Sequence, residues 1–325
     1  MPTVTMSQAI NSALREEMRR QPEMILLGQD IGAYGGTFGV YKGLFDEFGP
    51  DRVRDGPLCE SGTVGFAIGL AIRGMRCVVE LEFIDFAGLA LDQIVNQAAK
   101  MHYFFGGQVT VPLVVRTPIV SRVGMGPQHS QSLEAWFMHI PGLRIAIPST
   151  PYDAKGLMKT ALREPNPVVF IENVKLYGTR GDVTEEEYSV PFGEARVLRA
   201  GSDVTLVAIS GTVPEALAAA DELAAEGYSV EVVDPRTLAP LDTARLAESL
   251  RKTHHMVITH DAYRTCGVAA EISQRMMECA FDYLDAPVAR VTGYDTIVPM
   301  ARLEQYYMPS VERIMTAARK VCQFG

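Results

Sequence analysis

No stretch of this 325-residue chain is apolar for long enough to cross a membrane. The N-terminal Met1-Pro-Thr-Val-Thr-Met6 also lacks the basic-then-apolar order of a secretory leader. The two absences predict a soluble intracellular protein, or a mature form already processed. Its five cysteines, at 59, 77, 266, 279 and 322, form no C-x-x-C pair and are odd in number, so free thiols in a reducing compartment are expected. Blocks of like charge are missing too. The 30 Lys and Arg are interleaved with 39 Asp and Glu, for a net charge of −9, which excludes nucleic acid as the main partner because phosphate binding needs concentrated cations. Several catalytic signatures do not occur. There is no G-x-S-x-G elbow, no H-E-x-x-H or H-x₃-H zinc spacing, and the glycine-rich Gly32–Gly39 loop has neither G-x-G-x-x-G spacing nor a following Lys-Ser/Thr.

What is present suits a globular protein with a sizeable core: 47% of residues are hydrophobic and 21% charged. The length predicts roughly two domains. Residues 5–20 carry Ala9, Ile10, Ala13, Leu14 and Met18 on one helical face, and short Val/Ile/Leu-rich strands then alternate with helices. That alternation predicts an α/β fold with a largely parallel sheet covered on both faces. It lapses in the polar stretch Thr179–Tyr188 and restarts at Asp203, which divides the chain into residues 1–185 and 186–325, each α/β. Gly227, after the Ala-rich helix from Val213, reads as a helix-ending glycine.

Two stretches carry chemistry. In Asp55-Gly-Pro-Leu-Cys-Glu60-Ser-Gly-Thr-Val-Gly65, a carboxylate stands where an extended segment gives way to a small, apolar helix. Glu60 either caps that helix, as an anion near its N-terminus, or is a desolvated carboxylate of raised pKa held ready for a ligand. In Gly124-Met-Gly-Pro-Gln-His129-Ser-Gln-Ser-Leu-Glu134, a loop presents His129, whose ordinary pKa suits proton transfer near neutrality. Ser130 and Ser132 are expected to cap the following helix. His139 is read equally as a site group or as a hydrogen-bonded structural residue, while His254 and His255, in or beside a strand, read as structural. Phe83, Phe86, Tyr103 and Phe104 follow or bracket the strand carrying Glu80 and Glu82. An aromatic at a strand end can stack on a heteroaromatic ring. A buried glutamate, a nearby aromatic and a loop histidine together are what a cofactor with a protonatable heterocycle needs.

Leu26-Leu-Gly-Gln-Asp30, Pro57–Gly65, Asp92-Gln-Ile-Val-Asn96, Gln128-His-Ser-Gln131, Tyr152-Asp-Ala-Lys-Gly156, Asp234–Asp242 and Leu284–Gly293 occur in order along the chain. Together they resemble the β subunit of the E1 component of thiamine-diphosphate-dependent 2-oxo acid dehydrogenase complexes (pyruvate, branched-chain and acetoin dehydrogenases), over nearly the whole length. The resemblance implies a transketolase-like architecture, a pyrimidine-binding domain followed by a transketolase C-terminal domain. It assigns Glu60 to hydrogen-bond N1′ of the cofactor's aminopyrimidine, favouring the tautomer that deprotonates the thiazolium carbon. Phe86 falls on the stacking aromatic and His129 on the loop histidine near substrate and lipoyl acceptor, with Glu82 close to the cofactor. Some relatives bind potassium through backbone carbonyls matching Leu113, Ala161, Glu164 and Asn166. The family's diphosphate and Mg²⁺ motif, G-D-G followed later by Asn-Asn, does not occur in this chain. An E1 α subunit is therefore expected to hold Mg²⁺ and the diphosphate, in an α₂β₂ assembly docked on an E2 acyltransferase in bacterial cytoplasm or the mitochondrial matrix.

Features that separate members of the family point in different directions. His260-Asp-Ala262 resembles the His-Glu-Ala of acetoin and branched-chain relatives, where many pyruvate types carry Glu-Gly-Gly. Gln128–Trp136 leans towards acetoin and pyruvate types. Two rival classes stand beside this reading: a split transketolase-type ketol-transferring enzyme, and a non-catalytic assembly subunit. The first calls for additional basic and His residues facing a sugar phosphate, none of which is identified. The second has no use for Glu60 and His129.

Overall fold

The computed structural model describes Met1–Phe324 and divides into two units: Met1–Val120 with Trp136–Phe192, and Ser121–Ala135 with Gly193 onward. The fifteen-residue segment that carries His129 thus belongs to the second unit, although the chain on both sides of it belongs to the first.

In the first unit, strand β1 (Thr3–Thr5) leads into helix α1 (Met6–Arg20). Thr5 and Gln8 form a reciprocal capping box there, satisfying two otherwise unpaired N–H groups. Strand β2 (Met24–Gly28), helix α2 (Leu44–Phe48), strand β3 (Val53–Asp55), helix α3 (Glu60–Ile72) and strand β4 (Arg76–Glu80) follow. Residues 87–104 form a continuous helical run with a register change inside it. Helices α4 (Ala87–Leu91) and α5 (Ala99–Phe104) flank a π-helical stretch, Asp92–Ala98, of the kind often found at functional sites. Strand β5 (Leu113–Ile119), helix α6 (Glu134–Met138), strand β6 (Arg144–Ala146), helix α7 (Pro151–Arg163), strand β7 (Val168–Asn173) and strand β8 (Arg180–Asp182) complete the run. Helix α7 begins where its sequence dictates, with Thr150 as side-chain cap and Pro151 in the first turn.

The strands β6, β7, β5, β4, β2 and β3 lie side by side in that order, every pair parallel. From β2 the chain moves outward to β3 and then returns past β2 to β4, so the direction of winding reverses there. Ligands of open α/β sheets bind at such a switch, beyond the carboxyl ends of the strands. Gln29, Glu60 and Glu82 all follow the carboxyl ends of the three adjacent strands β3, β2 and β4. The core beneath is continuous, with Ile10, Leu14, Leu26, Val78, Leu157 and Phe170 fully buried.

The second unit repeats the design. It contains strand β9 (Arg196–Arg199), strand β10 (Val204–Ala208), helix α8 (Val213–Ala225), strand β11 (Val230–Asp234), strand β12 (Thr237–Ala239), helix α9 (Thr243–Thr253) and strand β13 (Met256–Thr259). Helix α10 (Val268–Ala280), strand β14 (Ala289–Val291), helix α11 (Ala301–Tyr307) and helix α12 (Val311–Cys322) close it. Its sheet runs β14-β13-β10-β11-β9, parallel except for β9. No helix among the described residues is long and apolar enough to span a membrane.

Candidate active site

Glu60 does not cap its helix. It is itself the first residue of α3, Cys59 occupies the capping position without a side-chain bond, and the Glu60 carboxylate accepts from Gln29 Nε2 at 3.3 Å. That amide is its one hydrogen-bond partner among the described residues, so the carboxylate keeps acceptor positions for a ligand. Glu60 is half-buried rather than desolvated. Leu58 and Phe66, in the loop before α3 and on the helix, are 84% and 53% exposed.

Phe86 ends a short 3₁₀ turn after β4 and is half-buried, its ring edge-on to Phe83 at 5.2 Å. Such a contact fixes the ring's tilt. Glu82 accepts from the Thr37 hydroxyl of the glycine-rich loop. Gly36 in that loop has a φ of +82°, and a side chain there would strike the Tyr41 ring, so the position needs glycine.

Under these groups lies a buried ionic network that the sequence reading missed. Arg116 on β5 is fully buried and bonds Glu172 of β7 through two nitrogens, one at 2.6 Å, and Glu80 of β4 at 2.8 Å. It also donates to Tyr177 Oη, which in turn donates to Glu172. Its guanidinium lies over the Tyr41 ring at 5.1 Å. Burial opposes the Arg116 charge, but Glu172, then Tyr41, Tyr177 and Glu80, more than offset this and hold it protonated. Burial pushes Glu80 up to about 7 against the pull of Arg116. The available signal was an Arg and a Glu within otherwise apolar runs, Val114-Val-Arg116 and Val168–Glu172: residues fully buried in parallel strands must be paired.

The residues named for potassium lie at the start of β5 (Leu113), at the end of α7 (Ala161, Glu164) and in the turn before β7 (Asn166). Asn166 Oδ1 is buried without a hydrogen-bond partner among the described residues. The Glu164 carbonyl accepts from Arg76 at 2.6 Å, leaving its second lone pair for another contact. Among the described residues no group of His, Cys, Asp or Glu is arranged to hold a metal.

In the second unit, His129 is half-buried in a turn closed by its N–H to the Gly126 carbonyl at 3.2 Å. Ser132 does not cap α6; its hydroxyl donates to the Glu134 carboxylate at 2.7 Å. His254 ends α9 and His255 Nδ1 meets the Asp203 carbonyl at 2.9 Å. His139 is exposed.

Known proteins share both units. The family described as the transketolase pyrimidine-binding domain matches residues 2–179, and that described as the transketolase C-terminal domain matches residues 193–314. The pyruvate dehydrogenase E1 component subunit beta-2 of Oryza sativa is 43% identical, over 98% of this chain and 86% of its own. The acetoin:2,6-dichlorophenolindophenol oxidoreductase subunit beta of Cupriavidus necator is 45% identical, over 98% and 97%. The chain belongs to the E1 β subunits. The pyruvate dehydrogenase E1 β subunit of Staphylococcus epidermidis, 41% identical, matches over 100% of both chains. A solved split-gene transketolase, an inactive β4 tetramer, superposes with a TM-score of 0.82 over 99% of each chain at 23% identity, a likeness of fold alone. In this E1 β subunit, Gln29, Glu60, Glu82 and Phe86 therefore stand at the switch point of a pyrimidine-binding domain.

Proposed function

We propose that the chain is the β half of an α₂β₂ E1 that acts on a 2-oxo acid (pyruvate or branched-chain) or on acetoin and passes the acyl group to the lipoyl arm of an E2 acyltransferase. The observation that carries this reading is the Glu60 carboxylate. It stands on the first turn of α3 with Gln29 as its one hydrogen-bond partner among the described residues, in a chain matched to the pyrimidine-binding family. When bound, thiamine diphosphate supplies the electron sink for decarboxylation. Glu60 would hold the pyrimidine ring of the bound cofactor by a hydrogen bond and take or give a proton at its carboxylate, Gln29 orients that carboxylate, and Phe86 would stack on the ring. Glu82, tied to Thr37, keeps the glycine-rich loop against the site. His129 would serve as a proton donor or orienting group during acyl transfer to the lipoyl group. An α subunit holds Mg²⁺ and the diphosphate, and covers Leu58 and Phe66, which completes the desolvation of Glu60. Potassium binds at Leu113, Ala161, Glu164 and Asn166, where the Asn166 orphan acceptor favours a cation. The complex works in the cytoplasm of a bacterium or in a mitochondrial matrix.

The test is Glu60→Gln in enzyme reconstituted with its α subunit. Activity should fall by about 10²–10⁴-fold, the usual worth of a positioned acid–base group, with the assembly intact by gel filtration. A fully active variant refutes the mechanism. A chain that binds thiamine diphosphate and turns over sugar phosphates without any α subunit would favour a transketolase-type enzyme.

A further inference from the structure

The segment after β13, His260-Asp-Ala-Tyr263, is not used by the chemistry above, yet its side chains converge on the loop that carries His129. Asp261 Oδ2 accepts from the Ser121 hydroxyl at 2.8 Å, and Asp261 Oδ1 accepts from Arg122 Nη2 at 2.8 Å and Nε at 3.1 Å. Tyr263 Oη donates to Gln131 Oε1 at 3.2 Å, two residues beyond His129. His260 Nδ1 faces Glu134 Oε1 at 3.5 Å, both side chains buried. Three side chains within four residues thus meet the beginning, middle and end of one loop. Glu304 of α11 adds a fourth hold: its two carboxylate oxygens accept from the Arg122 and Gly124 N–H groups, each at 2.7 Å.

The loop needs such anchors. Gly124 and Gly126 both have a φ of +82°, a conformation that favours glycine, and glycine loses more freedom on ordering than any other residue. A histidine in this setting transfers a proton only if it is held in place, because small displacements of a reacting group are costly.

We propose that His260–Tyr263 is the positioning element for His129, so that Asp261 and Tyr263 govern the lipoyl-dependent half of the reaction without touching substrate or cofactor. The inference rests on the acyl-transfer role of His129 proposed above. It also gives a physical task to the His-Asp-Ala stretch, whose side chains reach the loop where a Gly-Gly pair would offer none.

The experiment uses α₂β₂ enzyme reconstituted on its acyltransferase and two assays: acylation of the lipoyl domain, and substrate decarboxylation with dichlorophenolindophenol as acceptor, which bypasses the lipoyl group. Tyr263→Phe removes one hydroxyl and should slow lipoyl acylation by about 2- to 12-fold, the range expected for one neutral hydrogen bond, with dye-linked turnover unchanged. Asp261→Asn weakens the ion pair with Arg122 and should cost more in the same assay, and His129→Ala is the reference for complete loss. Equal slowing of both assays in Tyr263→Phe, or no slowing in either, overturns the inference while a selective defect in His129→Ala leaves the role of His129 standing. No selective defect in His129→Ala overturns that role, and the inference with it.

Discussion

Arg116→Met offers the sharpest test of the energetics beneath the site. The guanidinium is fully buried and compensates two carboxylates, Glu172 with no exposure and Glu80 nearly so. Methionine fills much of the arginine stem's volume, so the main loss is charge compensation rather than packing. Glu80, already raised to about 7, can take up a proton at neutral pH at little cost. Glu172 would keep only the Tyr177 hydroxyl. Breaking a buried ion pair by removing one partner costs about 3–5 kcal/mol, and each kcal/mol lowers the Tm by about 2–4 °C at this domain size. The expected fall is about 6–20 °C. Trp136, the one tryptophan in the chain, lies in the same unit as Arg116, so urea unfolding followed by its fluorescence reports that unit directly. The double variant Arg116→Met with Glu172→Met should recover much of the loss, since replacing a buried pair by apolar side chains is often neutral. A single variant within about 1 kcal/mol of the parent, or a double variant no better than the single, refutes this account.

Three further outcomes are expected. The folded chain holds the Glu80 proton up to about 7, whereas an unfolded glutamate releases it near the ordinary 4.5. The Glu80 contribution to stability is therefore full below that ordinary value and is lost as pH rises through about 7. Urea midpoints from pH 5 to 8 should slope downward less in Glu80→Gln than in the parent, and equal slopes would count against the assignment. Phe66→Asp, on the exposed face of α3, should leave the isolated chain's stability within about 0.5 kcal/mol and abolish association with the α subunit in gel filtration; intact assembly would show that this face is not the contact. At tenfold excess over its Kd, potassium should stabilise the chain by about 1.4 kcal/mol relative to sodium, and identical melting curves in the two salts would remove the ion from the proposal.

The elements that could be read from the sequence are those whose signals are local. Thr150 and Pro151 announce α7, Gly227 ends the Ala-rich α8, and short Val/Ile-rich runs give the parallel strands. The position of Glu60 at a helix start was legible as well, but not whether it capped the helix; one residue of register, with Cys59 as cap, separates the alternatives. The π-helical stretch was invisible because an extra residue per turn leaves the apolar spacing of Ile94 and Ala98 intact. Long-range pairings were beyond reach for a different reason. Arg116 finds its partners 36 and 56 residues away only once the strand order is fixed. The placement of Ser121–Ala135 in the second unit depends likewise on Asp261 and Glu304, which no periodicity connects to it.

That placement has a consequence for how the protein is made. Glu304 leaves the ribosome 182 residues after Arg122, a delay of about 10 to 35 s at usual synthesis rates. Strand β8, the last strand of the first unit, ends at Asp182, so every strand of that unit has been translated long before the partners of the His129 segment exist. Seating of the histidine is thus among the last events in the life of the nascent chain. A polypeptide released early, short of residue 261, would carry Glu60 and the whole first unit with a loop that lacks its Asp261, Tyr263 and Glu304 contacts. The anchors of the His129 loop are in this way supplied only after the whole first unit has been made.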